Sequence, residues 1–290
     1  MTRACAAVIL LALTCGVSYA RTFSVRPSVF ETHGSYTDRR TSEEHAGYVT
    51  VAIHDRHYLT AGYSDLTVSH PDWSYHQKMP VGGVLLSHWP WRMKAYAGYM
   101  AGTFSSARFS GYADHATVGS VEAMFSRPLY ELGLSYARFS GKGQSYAVLP
   151  PGQSSKLTSE QITGRLTCVL ASRWSATVRP NFTHVEDGRT LYSLAAKAVY
   201  VPRRRWTFQA GGFIGERAYY FDNDLLVIFN QNDTQRGMIF GEAETQVWKS
   251  FSVTAEYIYT HFDYSPVAGL PGGTYSIRYL VAGIKSRIPW

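Results

Sequence analysis

The chain is poor in cysteine. It has 3 among 290 residues, and Cys5 and Cys15 fall in an N-terminal segment that reads as a removable signal. Only Cys168 is left, so no intramolecular disulfide can staple the rest. Long apolar runs are missing too. No stretch after residue 20 reaches the roughly 18 consecutive apolar residues that a spanning helix needs, which excludes a helical membrane protein. There is no Gly-rich phosphate loop, no HxxxH pair and no Cys cluster, so neither a cofactor nor a metal is expected. A secreted chain of this size without disulfides must be held by a large core or by a membrane.

Residues 1–20 have the layout of a secretory signal peptide. Arg3 gives a positive start, Ala6 to Val17 an apolar centre, and Ser18-Tyr19-Ala20 small residues at the two positions a signal peptidase reads. Thr14 is too large for lipoprotein cleavage ahead of Cys15. Residues 21–290 then form one domain. The formal charge of +7 is spread thinly. Its only dense run, Arg203-Arg204-Arg205, suits anionic headgroups or periplasmic partners better than nucleic acid.

What the sequence does have is a period of two. Ile162, Gly164, Leu166, Cys168 and Leu170 alternate with Gln161, Thr163, Arg165 and Thr167. Phe251, Val253, Ala255, Tyr257 and Tyr259 alternate with Ser252, Thr254, Glu256 and Thr260. Such segments are half-buried strands. The pattern predicts strands over 23–31, 45–55, 57–66, 74–87, 92–104, 115–125, 129–140, 155–170, 174–185, 190–201, 206–221, 234–247, 251–263 and 274–290. Turns near 55–57, 88–91, 126–128, 171–173, 202–205 and 248–250 are short. Connections near 32–44, 67–73, 105–114, 141–154, 222–233 and 264–273 are longer, and 186–189 is short where a long one is due. Short turns at one rim and long loops at the other describe a transmembrane antiparallel up-and-down β-barrel of about fourteen strands, an all-β fold. Pro27 and Pro80 interrupt two strands, which leaves twelve or sixteen open.

A soluble barrel alternates in the same way with its apolar face inward, so period alone does not place the chain in a membrane. Tryptophan position does. Trp89, Trp91, Trp174, Trp206, Trp248 and Trp290 all lie in or beside short turns or at the end of the chain, with Trp73 the exception. Indole favours the membrane–water boundary, so these six form a girdle at one rim. Tyr63, Tyr99, Tyr136, Phe139, Phe182, Tyr219, Tyr220 and Tyr259 are candidates for the opposite girdle. Outer-membrane lipid is then the first partner, and Cys168 reads as a small lipid-facing residue.

Charges within strands must face inward, because at the bilayer midplane each costs about 2–4 kcal/mol. Lys94, Arg165, Arg179, Lys197, Arg217 and Arg236, with Glu122, Glu131, Glu242, Glu244 and Glu256, are therefore expected to line the lumen. They either edge a water-filled path or pair across it. Glu242 and Glu244 share one face of a strand about 7 Å apart, a spacing better matched to cross-strand Arg partners than to acid–base catalysis. Barrel-embedded lipid hydrolysis needs a Ser activated by His on the outer face. The adjacent pairs Ser69-His70 and Ser87-His88 point their side chains to opposite faces, so catalytic residues are not expected. The run Leu225-Leu226-Val227-Ile228-Phe229 sits oddly in an outer loop. It reads as a hairpin continuing above the membrane, or else as an inward plug or a docking segment.

Ile284, Ile288 and the terminal Trp290 share one face of the last strand. This resembles the C-terminal signature that barrel-assembly machinery recognises in bacterial outer-membrane proteins, although that pattern more often ends in Phe. Across 21–290 the layout resembles monomeric outer-membrane porins and YaiO-type outer-membrane barrels. The resemblance implies an outer-membrane location and a porin-like channel for small solutes. The alternatives it leaves are a structural or polysaccharide-export component with periplasmic partners and, behind that, an embedded lipid hydrolase.

Overall fold

The computed structural model describes residues 23–54, 56–106, 112–143, 155–203, 205–222, 224, 227–229, 233–264 and 272–289. The expected signal segment 1–20 and Trp290 lie outside these residues. The wall begins with β1 (Phe23–Tyr36), β2 (Thr41–Ile53), β3 (His57–His70), β4 (Trp73–His88) and β5 (Trp91–Ser106). It continues through β6 (Tyr112–Ser126), β7 (Tyr130–Gly143), β8 (Ser155–Ala171), β9 (Trp174–Val185), β10 (Thr190–Arg203) and β11 (Trp206–Arg217). The short strands β12 (Tyr220–Asp222) and β13 (Val227–Phe229) form a sheet of their own. The wall resumes with β14 (Thr234–Trp248), β15 (Phe251–Tyr264) and β16 (Gly273–Ser286), and β17 (Ile288–Pro289) follows.

Each wall strand pairs antiparallel with the next, and β11 pairs with β14 across the β12–β13 excursion. The barrel closes where β16 pairs with β1, Phe30 opposite Gly283 and Tyr36 opposite Ile277. β17 extends that seam against Ser24 and Val25. The result is a closed barrel of 14 strands. Closure leaves no unpaired edge, the one condition under which sheet backbone is tolerated in hydrocarbon.

Two expected long loops are not loops. β1 runs on to Tyr36 and β2 starts at Thr41, so of 32–44 only a tight turn remains. β3 reaches His70 and β4 starts at Trp73, so 67–73 shrinks to two residues. His33, Ser35, Thr41, Glu43 and Ser69 there are the outward side of strands that have left the membrane.

The reason is an inversion of the two faces along each strand. Near the short-turn rim the exterior is apolar: Leu132, Leu134, Ile162, Leu166, Val253, Leu280 and Ile284 are exposed. Their neighbours Ser135, Thr163 and Thr254 are buried inside. Beyond Tyr136 and Tyr259 the faces exchange roles. Glu31 and His33, Asp65 and His76, and Arg138 and Glu160 then face outward as exposed pairs. Inside at that height, Met79, Met100, Val118, Phe139, Leu157, Val185 and Leu191 cluster on one side. Tyr36, Val68, Phe262, Tyr275 and Ile277 cluster on the other. Strands of 12–17 residues exceed the 9–11 that cross a bilayer. The lower part is thus a membrane barrel and the upper part a barrel with an oily interior, as in water.

Candidate functional site in the barrel lumen

The connection between β11 and β14 leaves the wall and turns inward. β11 bulges between Ile214 and Arg217, and Gly215 there has φ +108. A Cβ at Gly215 would lie 2.3 Å from the Tyr192 carbonyl oxygen, so only glycine fits this exit. Ala218, Tyr219, Tyr220 and Phe221 are then buried within the barrel, each at most 3% exposed. The hairpin expected above the membrane exists as β12–β13, but it is a plug. Leu225, Leu226 and the side chains of Val227–Phe229 lie outside the described residues; the oily upper lumen covers Tyr219 and Phe221.

Its anchors are specific. The Tyr219 ring stacks on Phe139 at 5.4 Å, and Phe221 meets Tyr96 edge-on at 6.4 Å. Ser159 donates to the Tyr219 carbonyl at 2.9 Å. The Gln161 amide grips Phe221 twice, donating to its carbonyl and accepting from its N–H, both at 3.1 Å. Arg217 lies over the rings of Phe213 and Tyr220 and donates to Ser193 at 2.9 Å. Phe139, Tyr219 and Tyr220 are therefore interior residues, not members of an outer aromatic girdle.

Below the anchors the plug ends in charge. Arg179 donates to Asp222 and Asp224, both at 3.2 Å. Arg165 donates to Asp224 at 2.6 Å and to Glu122 at 2.7 Å. Lys94 lies 3.3 Å from both Asp224 and Glu122. The Asp224 N–H donates back to Asp222 at 2.9 Å, which fixes the tip. Lys94 is near the start of β5 at the short-turn rim, so the tip has descended well down the lumen. Seven residues at about 3.3 Å each give a reach of roughly 23 Å from Arg217 to Asp224, enough for the descent.

The opposite wall carries a second set. Lys285 bonds Glu244 at 2.6 Å and lies 3.7 Å from Glu242. Gln209 and Thr254 donate to Glu242, each at 3.0 Å, and Glu256 faces Glu242 across the β14–β15 ladder. Lys197 is within electrostatic reach of Glu256. Near the rim, Glu131 takes Arg92 at 2.9 Å and Ser126 at 2.8 Å.

Arg236 corrects the expected lumen set. It occupies a bulge in the β14–β15 pairing, between Gln235 and Gly237. It is 43% exposed and pairs with Glu216 and Asp263, while the adjacent Gln235 and Phe262 hold the inner face. It lies in the upper part of the barrel, where charge belongs outside. Trp89, Trp91, Trp174, Trp206 and Trp248 stand exposed at the short-turn rim. Trp73 is at the other rim, stacked on His70 and packed against the second interior cluster. Cys168, half-buried, shares the outer face of β8 with the exposed Leu166 and Leu170.

Asp222, Asp224, Arg92, Lys285 and Gln209 were not expected in the lumen. The two aspartates had a sequence signal: they directly precede the apolar run 225–229. An apolar loop has no reason to stay in water, and charges carried inward with it need partners.

No protein-family model matches the chain, and no curated protein matches it in sequence. Solved structures do resemble it. A "TodX monoaromatic hydrocarbon channel deltaS2 mutant" superposes with a TM-score of 0.59 at 10% identity, over 96% of this chain and 92% of that one. The Ralstonia pickettii toluene transporter TbuX gives 0.56 at 11%, over 94% and 90%. A Pseudomonas aeruginosa FadL homologue gives 0.52 at 10%, over 93% and 90%. This is the outer-membrane barrel fold. At such identities the likeness is one of architecture, and it agrees with the oily belt and rim tryptophans of this barrel.

Proposed function

We propose that this barrel is a channel for small solutes in the outer membrane, with its lumen narrowed at rest by the β12–β13 plug. The observation that carries the reading is the lower lumen. A barrel serving only as an anchor gains nothing from enclosing Lys94, Arg165, Arg179, Glu122, Glu242, Glu244 and Glu256 at membrane depth, where unpaired charge is costly. A water-filled path supplies the reason. The similar barrels described as a hydrocarbon channel and a toluene transporter support passage in the coarse sense and do not name the solute here. The test is reconstitution of the folded protein in a planar bilayer. Discrete conductance steps are expected, and a heat-modifiable, fully folded barrel that stays silent would refute the channel.

A further inference from the structure

We propose that Lys94, Arg165 and Arg179 form a binding site for carboxylate-bearing solutes, which the plug's Asp222 and Asp224 occupy at rest. The inference gives a solute class to the channel reading and rests on it. On the wall, three cations face one carboxylate, Glu122, so two positive charges are left for incoming anions. The plug supplies two carboxylates.

The way Asp224 is held shows what the site recognises. One oxygen, Oδ1, takes Arg165 Nη2 at 2.6 Å and Lys94 Nζ at 3.3 Å. The other, Oδ2, takes Arg179 Nη1 at 3.2 Å. Each carboxylate oxygen takes a single guanidinium nitrogen from a different arginine, a charge-assisted pair of bonds roughly twice as strong as neutral ones, and an anion with two acceptor oxygens that far apart fits the same donors. The cations belong to three different strands, β5, β8 and β9, so the site is built by the wall and not by the plug. The Arg179 Nε–H is buried with no hydrogen-bond partner among the described residues, so the site holds donor capacity that the two aspartates do not use.

A tethered carboxylate competes at an effective concentration in the millimolar range or above. Free solute therefore binds the resting protein weakly and binds tightly once the aspartates lose their charge. The probe is succinate, titrated calorimetrically into the folded barrel in detergent at low chloride. The variants are the wild type, D224N, D222N/D224N, and D222N/D224N carrying R165Q or R179Q. Each is first checked for the heat-modifiable migration of a closed barrel.

D222N/D224N should bind succinate at least tenfold more tightly than wild type, with D224N between them, and R165Q or R179Q should abolish the gain. Succinamide should not bind. No gain in D224N or D222N/D224N, a gain indifferent to Arg165 and Arg179, or equal affinity for inorganic phosphate would each overturn the assignment. Binding in detergent requires no passage. A silent barrel that binds succinate keeps the site and loses the channel; a conducting barrel that ignores succinate does the reverse.

Discussion

Tyr219→Ala isolates the plug from the wall that holds it. Tyr219 is 1% exposed and stacks on Phe139 at 5.4 Å, while its backbone carbonyl bond from Ser159 does not need the ring. Truncating a buried aromatic to Ala costs about 3–5 kcal/mol. Because the ring touches plug and upper lumen but forms no rung of the barrel ladder, that cost falls on plug docking. At about 1.4 kcal/mol per tenfold, the open-plug population rises by roughly two to three and a half orders of magnitude. Hydrogen exchange followed by mass spectrometry reads this at the Phe221 amide, which is protected by Gln161. Exchange there should quicken by about that factor, with β7 and β8 amides unchanged. Equal acceleration in β7 and β8 would mean that the plug and wall open as one unit. No acceleration at Phe221 would mean that the ring is not an anchor.

Three further outcomes follow from the same geometry. Ile162→Arg, on the oily outer belt, should lower folding stability in lipid vesicles by about 2–4 kcal/mol. Ser140→Arg, outward but above the belt, should stay within about 0.5 kcal/mol; equal costs in a urea titration would remove the inversion. Gly215→Ala, at φ +108 with a backbone oxygen 2.3 Å from the new Cβ, should destabilise by about 1–3 kcal/mol, and a neutral result would show that the plug exit tolerates a side chain. In the outer turn, burial alone would raise the Asp187 carboxyl, but hydrogen bonds and charge from Arg189 outweigh it and hold it below its ordinary value. A depressed folded value gives stability that is present above the unfolded pKa and lost as pH falls through the folded one. Asp187→Asn should therefore flatten the acid limb of the stability profile below about pH 4, and an unchanged limb would assign that loss elsewhere.

The wall was legible because a strand facing lipid on one side and water on the other must alternate. Leu132, Leu134 and Tyr136 against Glu131, Gly133 and Ser135 leave no second reading of β7. The ends of strands were not legible. Glu31, His33 and His45 break the apolar-outward rule, so the first strand reads as ending at Glu31, the second as starting at His45, and His33 as loop. They are outward residues of β1 and β2 standing in water. Arg236 was misplaced for the same reason, since the rule that sends charge inward holds only at membrane depth. The site was half legible: the wall cations follow from parity, but their partners Asp222 and Asp224 come from a loop whose path depends on tertiary contacts.

The inversion also explains why the plug needs two kinds of attachment. An inward loop must satisfy whatever surrounds it at each height. In the upper lumen the wall offers Phe139, Met100 and Leu157, so Tyr219 and Phe221 dock by burial, a force without direction. At membrane depth the inner face must be polar, because the apolar residues are already committed to lipid. There the tip meets Lys94, Arg165 and Arg179, which Glu122 alone does not neutralise, and carboxylates are the groups able to dock. Apolar contacts hold the plug inside, while ionic contacts fix where its tip rests. In the channel proposed above, a solute entering from the short-turn side would meet the ionic contact first, and the one bond it could exchange for its own is the bond to a carboxylate.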